Sequence, residues 1–418
     1  LACAALVLAS ACGETKTVVD AGNTAANDTA SDTASDGAGL VDGNGVDLAV
    51  DPAPQCEELE PSHCLLPWPP PKFQVDDPSS PTGKRLALPV AGMPLNAEGK
   101  RIDPAPWNRS DGWGIGFSVL TMWPDLDRSA LAGESNIAAS LADDAAIGLW
   151  EIGSTGPTRV PYFVELDADP DAKLPTDLVL FLRPAFIPRE ATRYMVAFRK
   201  LRKTSVSGPG ALLAASPAFA KLRDGTSAGS FLSARQAGFD AVFAALAKVG
   251  WLRAELQLAW EFTTSSDAFL HGDMLHIRNN GLAYDGGSGA KLTFDTVIEH
   301  SVAEDPYTWL EIEGSAELPD FTEKFALPAA TGSAPQTAYL LHRDSKGAPL
   351  QAGTRKTPIW VRVPQSARGG QAVGLLQYGH GLMGSGGQVK ADHLDRAGQD
   401  HKLITYAGNW TGMATGEF

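Results

Sequence analysis

Between about Leu86 and Leu201 the chain sets short apolar runs between breaks of Gly, Pro and Asp: Gly116-Phe117-Ser118-Val119-Leu120, Ala146-Ile147-Gly148-Leu149-Trp150, Val160-Pro161-Tyr162-Phe163-Val164, Leu178-Val179-Leu180-Phe181-Leu182 and Tyr194-Met195-Val196-Ala197-Phe198. Runs of this length at this spacing predict an antiparallel β-sandwich. The pattern then turns helical. Ser216-Pro217 offers an N-cap with proline in the first turn, predicting a helix that closes near Gly225. A second helix, from near Ser230 to Gly250, places Phe239, Val242, Phe243, Leu246 and Val249 on one stripe. Such a stripe is core packing. Leu256 to Thr263 predicts a strand, and 280–356 a further β-rich stretch around Leu292-Thr293-Phe294 and Trp309-Leu310-Glu311-Ile312.

The C-terminal stretch has another character. Pro358 to Val363 and Ala372 to Tyr378 predict two strands, the second almost wholly apolar; a Gly-rich loop, a polar helix from about Gln388 to Ala397 and a strand from His401 to Ala407 come after them. Strand, glycine loop, helix, strand opens a parallel α/β sheet. The expected fold is therefore mixed: an N-terminal β-sandwich at 85–205, a helical and β-rich connecting region at 206–356, and the start of a parallel-sheet domain at 357–418. Segment 68 to 84, punctuated by Pro69, Pro70, Pro71, Pro78 and Pro81, reads as a linker whose Trp68 and Phe73 pack on the β-sandwich domain.

The N-terminal residues change the picture of where the chain works. A short apolar stretch (Ala4, Ala5, Leu6, Val7, Leu8) runs into Ala9-Ser10-Ala11-Cys12. Small residues before a cysteine, after an apolar core too short to span a bilayer, read as the end of a signal peptide. The stretch resembles a bacterial lipoprotein signal, with Ala9 where leucine is usual, and that resemblance implies lipidation of Cys12 and a cell-envelope location. From Gly13 to Gln55 eight acids stand against Lys16 alone, and no aromatic residue precedes Trp68. Such a segment buries too little to offset its chain entropy, so 13–67 is expected to be a flexible acidic tether. It carries about half of the formal net charge of −15, so the acidity says little about the folded part. No basic stripe argues for nucleic acid. Cys56 and Cys64, eight apart in an exported protein, predict a local disulfide; zinc is the weaker alternative, since only His63 stands near.

Tyr378-Gly379-His380-Gly381-Leu382-Met383-Gly384-Ser385 is the stretch that carries chemistry. It resembles the His-Gly oxyanion loop of lipases and esterases with the α/β-hydrolase fold. The resemblance implies that His380 and Gly381 shape a loop whose Leu382 N–H donates to the tetrahedral oxyanion. Glycine lets the backbone itself approach the reacting carbonyl. The second donor would follow the nucleophile on a Gly-x-Ser-x-Gly elbow, expected beyond Phe418 together with its acid and base. Arg183 to Tyr194 resembles the proline-rich turn before a tyrosine-bearing strand in bacterial immunoglobulin-like domains. The whole is similar to secreted bacterial lipases with an immunoglobulin-like N-terminal region, and Asn409-Trp410-Thr411-Gly412-Met413 fits that group.

Other motifs in the chain are weaker. Gly379-x-Gly381-x-x-Gly384 also satisfies a dinucleotide fingerprint, but Tyr406, Ala407, Gly408 and Asn409 stand where an acid is wanted, and Asp392 and Asp395 fall on the helix. No cofactor is therefore expected. Gly225-Thr226-Ser227-Ala228-Gly229 matches the nucleophile elbow by letters, yet it comes after the charged run Lys221 to Asp224, so Ser227 reads as a loop serine capping the next helix. Asp167 to Asp171 lacks the glycine and the bidentate Glu of a calcium loop. His271 and His276 share no helical face cleanly, and His393 and His401 precede the expected nucleophile. The sequence reading is the N-terminal portion of an exported, lipid-anchored ester hydrolase, itself inactive as this stretch of chain, with an ester or lipid substrate and the membrane as partners. The alternative is a cell-surface binding or structural lipoprotein with a degenerate hydrolase-like domain.

Overall fold

A computed structural model describes residues 55–60, 63–96, 99–167, 179–327, 336–371, 373–410 and 412–415, and the fold is mixed, with antiparallel sheets and helices. The chain divides into two compact units at 270/271. The division gives both predicted helices and the strand after them to the first unit, because their apolar faces are part of its core; no separate region spans 206–356. Cys12, the lipidation candidate, and most of the acidic segment lie outside the described residues, as does all of the Asp167–Asp171 turn except Asp167.

In the first unit a short antiparallel hairpin, β1 (Gln74–Asp76) and β2 (Lys84–Leu86), precedes the main strands. These are β3 (Val119–Met122), β4 (Ile147–Gly153), β5 (Gly156–Arg159), β6 (Tyr162–Leu166), β7 (Val179–Pro184) and β8 (Arg193–Arg199). Helices α1 (Pro217–Arg223) and α2 (Gln236–Lys248) then lead to β9 (Leu256–Thr263). Two antiparallel sheets form, in orders β3-β7-β6 and β5-β4-β8-β9. One core joins them: Val119, Leu180 and Leu182 lie with Leu149, Val196 and Phe198, and the buried Tyr162 hydroxyl donates to the Ile147 carbonyl at 2.6 Å. β8 and β9 are buried along nearly their whole length. A strand covered on both faces reads as an unbroken apolar run, which is why the sequence showed runs rather than alternation. Gly148 is required here, since the Trp150 indole lies where a Cβ would stand.

Ser216 caps α1 by accepting from the Phe219 N–H at 3.2 Å. Phe239, Val242, Phe243 and Leu246 of α2 are buried and Val249 packs against them, although the α-helix begins at Gln236 rather than near Ser230. The tether boundary at 67 also moves. Cys56 and Cys64 are joined in a disulfide, Leu59 is buried, and Glu57 pairs with Arg235, so the chain from Gln55 onward belongs to the folded unit where it is described. The proline-rich segment is not a linker either: Trp68 and Leu120 exchange backbone hydrogen bonds of 2.8 and 3.0 Å, and Phe73 is buried. Tyr194 accepts at its hydroxyl the N–H of Arg189, five residues upstream, at 2.8 Å.

The second unit takes up most of α3 (Asp267–Gly287), whose backbone leaves helical values at Tyr284 to Gly286 and which buries no residue. Strands β10 (Lys291–Glu299), β11 (Thr308–Asp320), β12 (Thr322–Leu327), β13 (Gln336–Leu341), β14 (Gly353–Pro364) and β15 (Gly374–Gln377) come next, then α4 (Asp392–His401) and β16 (Leu403–Gly408). Their sheet has the order β10-β11-β14-β16-β15, and β12 and β13 form a separate ribbon. The expected parallel sheet is only partly so. β15 and β16 are parallel, because α4 supplies the crossover, whereas the other neighbours are antiparallel.

Candidate functional site

The Gly-rich loop leaves the carboxyl end of β15, next to the carboxyl end of its parallel neighbour β16. The Tyr378 N–H donates to the Tyr406 carbonyl at 2.8 Å, prolonging the pairing by one residue. At Gly379 a Cβ would stand 2.9 Å from the Trp410 ring, so that ring and the backbone fit only with glycine. His380 comes next and is 6 % exposed. Its Nδ1 lies 2.8 Å from the Gly381 carbonyl, and its Nε2 lies 3.0 Å from the Trp410 N–H. A carbonyl only accepts and an amide N–H only donates, so Nδ1 carries the proton and Nε2 accepts. Nε2 thus ties this loop to the one carrying Trp410, while Nδ1 fixes the ring on its own loop. Neither ring nitrogen of His380 is left without a hydrogen bond.

Beyond His380 the loop is clamped on its far side. Met383 adopts a left-handed φ of 59°, a conformation that costs a non-glycine residue about 1–2 kcal/mol. It is held by its N–H donating to the Met413 carbonyl at 2.9 Å and by the Thr415 hydroxyl donating to its own carbonyl. The Thr415 N–H donates to the Gly384 carbonyl at 2.8 Å, and the Asn409 side chain accepts the Gly386 N–H at 2.9 Å. Between these clamps lie Gly381 and Leu382. The Gly381 N–H reaches the Gln388 side chain only at 3.4 Å, and none of the described residues accepts from the Leu382 N–H. A Cβ at Gly381 would meet nothing within 4 Å, so the protein's own packing does not demand that glycine. The Leu382 and Met383 side chains are exposed.

Behind the loop, α4 is fixed to the sheet by charge. Arg362 of β14 donates from Nε and Nη2 to the two Asp395 oxygens of α4 at 2.9 and 2.8 Å, and its Nη1 lies 2.5 Å from Glu311 of β11. Lys390 adds a contact of 3.0 Å to Glu311 and another to Glu313. Burial works to lower the Arg362 pKa, but Asp395 and Glu311 outweigh it and raise it. Burial likewise works to raise the Glu311 pKa, and the Lys390 and Arg362 bonds and charges more than offset that, leaving it lowered.

The other residues singled out in the sequence do not join this site. Ser227 is buried in the first unit, and its hydroxyl donates to Gln236 at 2.6 Å rather than capping a helix. His393 and His401 are exposed on α4, and His276 is exposed on α3. No group of three or more metal-ligating side chains forms among the described residues. The dinucleotide geometry is also missing: a 3-10 turn at Gly386–Lys390 separates Gly384 from the start of α4, so the helix N-terminus does not open onto the loop. Trp410, Gln388, Thr415 and the Arg362 cluster were not foreseen as site residues. One signal was present for the last, an arginine within the apolar run Ile359 to Val363. Compared with known proteins, the chain matches no family model, no curated protein and no solved structure. Among the described residues no helix is long and apolar enough to cross a membrane.

Proposed function

We propose that this chain is the N-terminal portion of an exported, lipid-anchored serine hydrolase acting on carboxylic or lipid esters. The observation that carries the reading is the Leu382 N–H, unpaired among the described residues, on a loop clamped from both sides at the carboxyl end of a parallel strand. Ligands of open α/β sheets bind at such strand ends. In this reading Leu382 N–H is one donor to the oxyanion formed when a serine oxygen adds to the ester carbonyl. The second donor, the serine on its Gly-x-Ser-x-Gly elbow, and the Asp or Glu and His partners are assigned to sequence following Phe418. Support comes from β15, which ends the sheet order and leaves Leu375 and Leu376 exposed where another strand would pair.

The first unit is read as immunoglobulin-like. Tyr194, bonded through its hydroxyl to the backbone upstream, makes the tyrosine-corner contact that such domains share. Export and anchoring through Cys12 place the protein in the cell envelope, and the Cys56–Cys64 disulfide suits an oxidising compartment. A Cys12→Ala variant is expected to leave the detergent phase.

The test is hydrolysis of a short nitrophenyl ester by the longer protein, its Gly381→Val variant, and residues 55–418 alone. Because a Cβ at Gly381 meets nothing, the variant is expected to fold normally while its side chain blocks the carbonyl's approach, lowering turnover by roughly 10²–10³. Robust turnover by residues 55–418 would overturn the reading, since it would place a working nucleophile within them. A longer protein that folds and shows no turnover would favour a binding lipoprotein.

A further inference from the structure

Along the edge of β9 that faces away from β8 lies a cavity of about 180 Å³, lined among others by Phe239 and Val242 of α2, Trp260 and Glu261 of β9, and Lys84. Its backbone chemistry derives from the strand. In an antiparallel ladder successive residues turn their N–H and C=O alternately toward and away from the neighbouring strand. Thr263 turns away from β8. Its N–H donates to Gln74 Oε1 at 2.7 Å, and its C=O accepts from Gln74 Nε2 at 2.8 Å and from the Trp113 N–H at 2.9 Å. The Gln74 carboxamide and the Trp113 backbone therefore occupy this edge at Thr263, as an added strand would. The register of β9 on β8 is unbroken from Thr263 to Leu258, so Glu261, two residues before Thr263, turns its N–H and C=O to the same side. None of the described residues pairs with them.

Gly238 supplies an independent observation. A glycine inside a helix is less stable than alanine, and α2 carries one at a position where a Cβ would meet nothing. That residue lines the cavity. Packing does not require the glycine; its effect is to leave the space open.

We propose that this cavity binds an extended peptide segment, which pairs through its backbone with Glu261 and lodges an apolar side chain against Phe239 and Val242. The volume suits one such side chain, since a cavity of about 150 Å³ accepts benzene. Strand addition of this kind takes affinity from main-chain bonds and selectivity from the pocket. Gln74 and Trp113 close the ladder at Thr263, so the segment enters at Glu261 and does not run past it.

The probe is the blocked tripeptide acetyl-Ala-Leu-Ala-amide, titrated into the full chain carrying 15N-glutamate. The expected result is a saturable shift of the Glu261 amide resonance and slower exchange of its proton. An analogue with an ester oxygen in place of the leucine N–H is expected to bind about five-fold more weakly, having lost one donor. Gly238→Leu and Val242→Phe, each filling the cavity, are expected to lose the response, the first with a thermal midpoint at or above that of the unaltered chain and the second with a lower one, because Val242 is a core residue. A Glu261 amide unmoved by the peptide overturns the proposal. So does a cavity-filled variant that folds and responds as the unaltered chain does.

Discussion

The two units differ most in what they bury. In the first, Trp150, Trp260, Tyr162, Tyr194 and Phe198 are fully buried, and their rings meet edge to face or stacked, as Trp150 does with Trp251 and Phe198 with Trp260. In the second, every residue of β10 and β15 is exposed, α3 buries nothing, and Leu292, Phe294, Val297 and Leu375 face outward. What holds the second unit together is largely polar, with Arg362 at its centre. The first unit stands on hydrophobic burial, the second on ladders and charge. Exposed apolar surface of that extent marks a place where something else packs.

The widest separation is expected from truncating a large buried ring against truncating an exposed strand residue. Trp260→Ala is expected to cost about 3–5 kcal/mol in denaturant unfolding, whereas Leu375→Ala on β15 is expected to stay within about 0.5 kcal/mol. Comparable losses at both positions would show that β15 is covered in solution. The second expectation concerns charge. Arg362→Ala strips a buried Asp395 of its partner and is expected to cost about 3–5 kcal/mol, lowering the transition of the second unit and leaving that of the first in place. A single shared shift in calorimetry would show the units to be coupled.

The two units are also expected to fail at opposite ends of the pH scale. Glu311, Asp305 and Asp320 of the second unit have lowered pKa values: in each, burial works to raise the value and hydrogen bonds and neighbouring cations outweigh it. Groups of this kind lend stability above their unfolded values of 4.5 and 3.8 and lose it as pH falls through the folded ones. In the first unit burial raises the Tyr162 pKa, opposed by Arg159. Its contribution is present below the unfolded value of 10.0 and is lost as pH rises through the folded one. Circular dichroism in the aromatic region, followed through acid and alkali, is expected to report the second unit failing first in acid and the first unit failing first in alkali. Smaller still is the disulfide. Opening the short Cys56–Cys64 loop by reduction is expected to cost about 2–3 kcal/mol on the loop-entropy model, confined to the first unit. An equal effect on the second unit's transition would again erase the distinction.

How far the sequence disclosed all this depended on the range of the interactions. The α1 cap, the α2 stripe and the strand runs are local, and each could be read within a few residues. α3 escaped because Gly272 and Gly281 interrupt it and no apolar stripe marks a buried face. The proline-rich 68–84 segment misled because its order comes from Leu120, Gln74 and the strand edge beside them, not from its own composition. At the candidate site the His-Gly letters were legible, but the clamp was not. His380 meets Trp410 across thirty residues and Arg362 meets Asp395 across thirty-three, distances at which no spacing rule operates. The sequence also made Gly381 seem obligatory, whereas the glycine that its neighbours demand is Gly379.

The disulfide has a mechanical consequence. Among the described residues, a pull transmitted through Gln55 is taken first by the bonds around Cys56. The Glu57 N–H is bonded to the Cys64 carbonyl at 2.9 Å, and the Glu57 side chain accepts from Arg235 at the start of α2 and from the Lys72 N–H at 3.0 Å. A tensile force is thereby shared at once between the cross-linked turn, the helix and the arm that lies along β9, instead of peeling the N-terminal residues away one at a time. The junction is built as a strain relief, of the sort that keeps a cable from tearing at its socket.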